Sequence, residues 1–182
     1  ENALVALGAL LASRGQGAEL AVIGGGSLLL MGMIQRATKD LDVVAVVENG
    51  AMRPGEPLPV PVVQAVEDVA LAMGLAKDWL NPGPSELFTF GLPLGFSDRV
   101  QTRQYSSLIV HFAGRIDQIH FKLYATVDQG PKSKHFADLL RLAPTWEELE
   151  AAAAWCTGHD PSDGFATMLT QALAELEKRR DL

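Results

Sequence analysis

The spacing of hydrophobic positions predicts a chain that mixes helices and strands over its first 115 residues. Leu4, Leu7 and Leu11 recur at the interval of one helix face, and glycines follow them as a stop signal. Runs rich in β-branched residues are instead typical of buried strands. These patterns predict helices over residues 3–14, 27–34 and 62–76, and strands over residues 19–23, 41–47 and 105–112. Stretches rich in proline and glycine predict loops over residues 53–61 and 81–95.

The last 67 residues carry helical spacing and no strand pattern. Helices are predicted over residues 117–127, 134–142 and 145–155, and from Asp160 onwards. Thr145 and Glu148 have the spacing of a capping box, in which each side chain bonds to the other residue's backbone amide. We therefore expect an α/β (α+β) fold in two parts. Residues 1–115 form a core of strands and helices, and residues 116–182 form a helical C-terminal region packed on it.

Composition and charge exclude several classes of protein. One cysteine, Cys156, excludes an intramolecular disulfide and fits a reducing compartment, so we expect a cytoplasmic protein with a packed, unreactive thiol. The longest apolar run, residues 28–34, is far shorter than the roughly 20 residues that span a bilayer, so we expect no membrane partner. The net charge of −7 argues against wholesale wrapping in nucleic acid.

The charge is not spread evenly. Residues 99–141 carry seven Lys or Arg against three carboxylates, which leaves this segment at +4 and the rest of the chain at −11. A local basic surface of this kind can hold a phosphate-bearing ligand. A solvated helix face is the more common reason for one.

Residues 24–42 combine three features that point to phosphate chemistry. A predicted strand ends at three glycines, Ser27 opens a predicted buried helix, and the next strand carries Asp40 and Asp42. Backbone N–H groups at a strand–glycine–helix junction suit a triphosphate, because glycine lets phosphates approach the backbone. Two carboxylates two positions apart on a strand face the same side, and a divalent cation relieves their repulsion. The pattern therefore predicts an NTP site with Mg²⁺ (or Mn²⁺) on Asp40 and Asp42.

Other phosphate-binding motifs fit this segment poorly. No Gly-Lys-Ser/Thr follows the glycines, which excludes a P-loop. Leu29 stands where a dinucleotide-binding fingerprint needs a third small residue. An ordinary glycine turn followed by two surface aspartates stays open, but the three features in this order favour a nucleotide site.

Two blocks of the sequence carry a family resemblance. Gly25-Gly26-Ser27, twelve intervening residues and Asp40-Leu41-Asp42 resemble the signature of the DNA polymerase beta nucleotidyltransferase superfamily. The motif Arg36-x-Thr38-x-Asp40-Leu41-Asp42 is similar to the corresponding motif of AbiEii/AbiGii-type toxin nucleotidyltransferases. The second block, residues 117–125, resembles that group's Lys-Leu-x-Ala element, and Asp138-Leu139 follows as its Asp-Leu element.

The resemblance implies a small mixed sheet flanked by helices, and metal-dependent transfer of a nucleotide from an NTP to an acceptor. The residues that it assigns to the nucleotide are Gly25, Gly26, Ser27, Arg36 and Lys122. It makes Asp40 and Asp42 catalytic metal ligands, and Asp138 a catalytic base or the partner of Lys122. Lys122 and Asp138 are then expected to reach the cleft of the two aspartates. In the toxin group the acceptors include tRNA ends, and an antitoxin protein restrains the enzyme.

The chain also departs from the superfamily pattern. Many members carry a third carboxylate on a later strand, whereas the predicted strand 105–112 offers only His111. A lone strand histidine is usually structural. One alternative therefore stays open, a catalytically reduced fold that binds a nucleotide or a partner protein. The charge of −11 on the rest of the chain keeps a second one open, a nucleotidyltransferase whose acceptor is a cationic small molecule.

Overall fold

The computed structural model describes residues 1–180, apart from the side chain of Arg180. Its first part contains both helices and strands, and helices alone follow. In chain order the elements are α1 (Asn2–Ser13), β1 (Ala18–Ile23), α2 (Gly24–Leu30), β2 (Leu41–Glu48), β3 (Ala51–Pro54), α3 (Val60–Met73), β4 (Leu80–Asn81), α4 (Glu86–Phe90), α5 (Phe96–Arg99), β5 (Gln101–Tyr105), β6 (Leu108–Phe112), α6 (Arg115–Gln129), α7 (Lys134–Leu142), α8 (Trp146–His159) and α9 (Asp163–Arg180).

A mixed sheet organises the strands. Their order is β3-β2-β1-β6-β5, and the short β4 also pairs with β2. Strand β1 runs antiparallel to β2 and parallel to β6, and β2 also pairs with β3, so neither is an edge strand; the β-branched residues of β2 predict this for residues 41–47. The mixed α/β class and the helical C-terminal region are both confirmed.

The chain divides into two compact units, Glu1–Ala113 and Gly114–Leu182. The core of the first unit is built from α1, α3 and the sheet. Leu7 and Leu11 of α1 are fully buried, and so are Val22 and Val43 of the central strands. This arrangement buries the leucine stripe that predicts α1, because an amphipathic helix is stabilised mainly by packing its apolar face.

Several predicted elements of the first unit are wrong in detail. The predicted strand 105–112 includes the last residue of β5, a turn at Ser106 with a φ of 54°, and all of β6; β5 and β6 pair in an antiparallel register as a hairpin. Strand β3 and the start of α3 occupy part of the predicted loop 53–61. Strand β4 and helix α4 occupy part of the predicted loop 81–95.

The second unit consists of α6 to α9. Helix α7 has the predicted bounds, and the capping box at the start of α8 is confirmed: the Glu148 amide donates to Thr145 Oγ1 at 3.2 Å, and the Thr145 amide donates to Glu148 Oε2 at 2.8 Å. Helix α9 begins at Asp163 instead of Asp160, and Ser162 Oγ accepts from the Phe165 amide at 3.2 Å. Across residues 1–180, we find no helix that combines the length and the apolar character needed to cross a bilayer.

Candidate functional site

The glycine segment lies directly at the end of β1. Helix α2 begins at Gly24 and ends at Leu30, so the glycines form its first turn instead of a separate turn before a helix over 27–34. Gly24 has a φ of 78°, a conformation that glycine adopts without the steric cost that a Cβ brings. The chain can therefore pass from strand to helix with no connecting loop.

The carboxylate of Asp42 lies against Gly24. Its Oδ2 occupies the space that a Cβ on Gly24 would need, so no other residue type fits there without movement. The contact follows from the strand register, in which Asp42 of β2 lies opposite Ile23, the last residue of β1. Antiparallel pairing thus brings the start of one strand to the end of the other.

Asp40 lies one residue before β2, not within the strand as the sequence predicts. Its backbone carbonyl oxygen occupies the position of a Cβ on Gly26, which explains the need for glycine there as well. Both Asp40 and Asp42 are half-buried, whereas Leu41 between them is 4% exposed and packs into the core. The alternation that keeps Leu41 inside leaves both aspartates in contact with solvent.

The donor chemistry of this segment fits a hard divalent cation. Half-buried carboxylates are oxygen ligands of the kind that Mg²⁺ accepts, and Mg²⁺ keeps several waters or takes phosphate oxygens for its remaining positions. Asp40 and Asp42 are the residues that would hold it. Among the side chains of residues 1–179, no cluster of three or more His, Cys, Asp or Glu residues has the geometry of a metal site.

Arg36 covers the first turn of α2. A Cβ on Gly25 would lie 2.7 Å from Nη2 of Arg36 and 3.1 Å from the methyl group of Thr38. The guanidinium is therefore in contact with the backbone of the glycine segment. A planar cation at this position is suited to bidentate binding of a phosphate group.

Ser27 lies in the buried part of α2, as the apolar sequence around it predicts, and its exposed fraction is 0%. Direct contact of the Ser27 hydroxyl with phosphate stays a prediction.

The sequence does not predict that residues 79–81 lie beside the segment that carries Leu41 and Asp42. The Leu41 amide donates to the carbonyl of Trp79 at 2.7 Å, and Asn81 lies beside Asp42 in the parallel pairing of β4 with β2. The Asn81 amide group donates to the Asp78 carbonyl at 3.3 Å and its Oδ1 accepts from the Gly83 amide at 2.9 Å. The two-residue strand Leu80–Asn81, followed by Pro-Gly-Pro, looks like a loop in the sequence, and only its pairing with β2 reveals it.

Lys122 and Asp138 form a buried ion pair within the second unit. Lys122 Nζ of α6 lies 2.9 Å from Asp138 Oδ2 of α7, and the two side chains are only 2% and 1% exposed. Burial of two charges carries a large desolvation cost that close pairing offsets. The structure thus brings these two predicted site residues together, and a phosphate contact for Lys122 stays a prediction.

His111 is held by protein groups on both sides of its ring. Nδ1 lies 2.7 Å from Thr102 Oγ1 of β5, and Nε2 lies 2.7 Å from a carboxylate oxygen of Glu19 in β1. Both ring nitrogens are occupied across three neighbouring strands. This arrangement fits the structural role that is usual for a strand histidine.

Residues 3–129 match the sequence model of a family described as "Nucleotidyltransferase of unknown function (DUF6036)". The match includes the glycine segment, Asp40, Asp42 and helix α6 with Lys122, and it ends before Asp138. No curated protein and no solved structure shows significant similarity to the chain. The family match extends over more than half of the 182 residues, and the chain therefore belongs to this family of nucleotidyltransferases.

Proposed function

We propose that the protein transfers a nucleotide from an NTP to an acceptor and depends on a divalent cation for this reaction. The observation that carries the proposal is the contact of the Asp42 carboxylate with Gly24, at the junction of β1 and α2, in a chain of a nucleotidyltransferase family. A metal-bound triphosphate needs an acidic group next to backbone that phosphates can approach closely. Both are present at this junction.

The chemistry of each side chain determines the role that we assign to it in this reaction. Asp40 and Asp42 hold the cation, which neutralises charge on the phosphates and on the leaving pyrophosphate when it is bound. Arg36 binds a phosphate oxygen from its position over Gly25. The resemblance to toxin nucleotidyltransferases adds Lys122 and Asp138 to the catalytic machinery, a tRNA as the acceptor and an antitoxin protein as the partner.

The test is transfer of label from NTPs. The purified chain is incubated with each α-³²P-labelled NTP, Mg²⁺ or Mn²⁺, and either total tRNA or total protein, and the acceptor is resolved on a gel. We expect label on the acceptor with at least one NTP, and its loss in Asp40→Asn and Asp42→Asn. Absence of transfer by folded wild-type protein with every NTP, metal and acceptor contradicts the proposal.

Glu48→Gln is the matched control for the two aspartate variants. Glu48 is the last residue of β2, so the control removes one carboxylate from the same strand, roughly 20 Å from Asp42 at about 3.3 Å per residue. Its side chain is exposed and pairs with Arg53 at 2.6 Å. We expect this variant to transfer label like the wild type. Loss of transfer in Glu48→Gln and Asp42→Asn alike contradicts a specific role for Asp42.

One observation favours a second candidate, a nucleotide-binding protein without transfer. His111, which stands where many superfamily members carry a third carboxylate, is engaged by Thr102 and Glu19. Under this candidate an NTP raises the melting temperature equally with and without Mg²⁺, and no label reaches any acceptor. Under the first candidate the shift requires the metal.

A further inference from the structure

A pocket of about 200 Å³ opens beside Asp40 within the first unit. Its walls are mostly apolar and are formed by Leu4, Leu29, Leu30, Leu41, Leu75 and Trp79. An apolar cavity of roughly 150 Å³ is large enough to bind benzene. This pocket therefore has room for a planar heteroaromatic ring.

The pocket is continuous with the candidate nucleotide site. Gly26 and Asp40 belong to its lining, together with Thr38 and Lys39 of the segment that leads into β2. A ligand group in the pocket thus lies next to the first turn of α2. One end of an NTP can occupy the pocket while the other contacts the residues assigned to phosphate and metal.

Hydrogen bonds hold the aromatic wall in place before any ligand arrives. The Trp79 indole Nε1 donates to the Val66 carbonyl at 3.1 Å, and the Trp79 carbonyl accepts from the Leu41 amide at 2.7 Å. Trp79 is only 6% exposed, so its ring is packed as well as bonded. A preformed wall lowers the conformational entropy that binding costs.

The chemistry of the lining favours binding of one part of an NTP over the other. Apolar walls desolvate a phosphate without compensating it. Glu1 also belongs to the lining, and its carboxylate, which accepts from Arg103 at 3.3 Å and from the Tyr105 hydroxyl at 3.2 Å, repels a phosphate. Among the described residues, Lys39 is the one that brings a cationic side chain to the lining. A neutral, planar and largely apolar group satisfies these walls, whereas a triphosphate does not.

We propose that this pocket binds the nucleobase of the NTP. The proposal rests on the proposed function, because it takes the residues next to the pocket to hold the triphosphate. It assigns base recognition to Leu75 and Trp79, which both follow the end of α3, and not to the glycine and aspartate residues.

The test compares ligands with and without a base. Affinities of the four NTPs and of inorganic tripolyphosphate are measured by calorimetry with Mg²⁺ present. We expect at least one NTP to bind about tenfold more tightly than tripolyphosphate, the effect of burying some 55 Å² of apolar surface. Leu75→Asn is expected to abolish this difference and to leave tripolyphosphate affinity unchanged.

Leu71→Asn is the matched control. Leu71 lies in α3, four residues before Leu75, and is 86% exposed, but it does not line this pocket. We expect it to keep the preference for NTP. Leu29→Asn serves as a second pocket variant if Leu75→Asn fails to fold by circular dichroism, and it is expected to lose the preference too.

The outcomes separate this proposal from the proposed function. Equal affinity for NTPs and tripolyphosphate, or equal weakening by Leu75→Asn and Leu71→Asn, overturns the base pocket even if transfer is observed. A base-dependent affinity that Leu75→Asn removes supports the pocket even if no acceptor receives label. Failure of every NTP and of tripolyphosphate to bind overturns both.

Discussion

The ammonium of Lys122 lies 2.9 Å from the carboxylate of Asp138, and neither side chain is more than 2% exposed. Loss of one member of such a pair leaves the other charge buried without its counter-ion. We expect Lys122→Met to reduce the free energy of unfolding by about 3–5 kcal/mol in urea denaturation. The double variant Lys122→Met/Asp138→Leu should recover most of this loss, because apolar groups of similar volume replace both charges.

Lys134→Met is the control for the single variant, since Lys134 is an exposed lysine of α7, the helix that carries Asp138. It should change stability by less than about 0.5 kcal/mol. The double variant also tests the role of the pair in catalysis. If it folds like the wild type and still transfers a nucleotide, the assignment of Lys122 and Asp138 to the catalytic machinery is wrong.

A second prediction concerns Gly24. Gly24→Ala places a methyl group where the Asp42 carboxylate lies and also strains a backbone at a φ of 78°. We expect nucleotide binding and transfer to be lost, because Asp42 must move away from the first turn of α2. Calorimetric titration with NTP and Mg²⁺ measures the binding loss independently of turnover.

Gly32→Ala separates the effect of backbone strain from the effect of displacing the Asp42 carboxylate. Gly32 has a φ of 73°, nearly that of Gly24, but a Cβ there meets no atom within 4 Å. This control carries the backbone strain alone, about 1–2 kcal/mol of stability. Equal loss of NTP affinity in the two variants contradicts a specific contact of Gly24 with the site.

A third prediction concerns acid sensitivity. Arg115 donates to Glu148 at 2.6 and 3.0 Å, and this hydrogen bonding, with the Thr145 amide, lowers the pKa of Glu148. A lowered folded-state pKa means that the stabilisation is complete above the unfolded pKa of about 4.3 and is lost as pH falls through the folded pKa. Glu148→Gln should therefore cost about 0.5–1 kcal/mol at pH 7 and progressively less below about pH 4.

Thermal unfolding of wild type and variant between pH 3 and pH 7 measures this convergence. Glu150→Gln, at an exposed position of the same helix, controls for loss of one negative charge. A difference between wild type and Glu148→Gln that stays constant over this range contradicts the prediction.

A fourth prediction concerns Cys156. Its thiol is fully buried, and burial raises its pKa to about 12. At pH 8 only on the order of one thiol in ten thousand is ionised, and the thiolate is the reactive form. We expect no reaction of the native protein with Ellman's reagent within an hour, and one equivalent after denaturation in guanidinium. Rapid labelling of the native protein contradicts the packed thiol that the sequence suggests.

Local signals account for the parts of the fold that the sequence predicts correctly. The capping box of Thr145 and Glu148 acts within four residues, and helix α7 is bounded by signals next to its own ends. The leucine stripe likewise predicts α1 from the spacing of the leucines alone. Gly25, Gly26, Asp40 and Asp42 are candidate site residues on the same kind of local signal, because their chemistry and order lie within one short segment.

Pairing between distant segments determined the strands that the sequence does not predict. Strand β5 is polar and mostly exposed at the edge of the sheet, so it has no alternating apolar pattern, and only its pairing with β6 defines it. Strand β4 is two residues long and exists because its backbone bonds to β2, and this bonding brings Trp79 next to Leu41. A hydrogen bond between residues 38 positions apart leaves no local trace in the sequence.

Burial was the other property that the sequence left undetermined. The sequence identifies Lys122 and Asp138 as charged residues on helices, but only the packing of α6 on α7 buries both and pairs them. Residue type and order identified the candidate groups of the site, whereas tertiary packing decided how far each of them is exposed, because solvent exposure depends on neighbours that are remote in the chain.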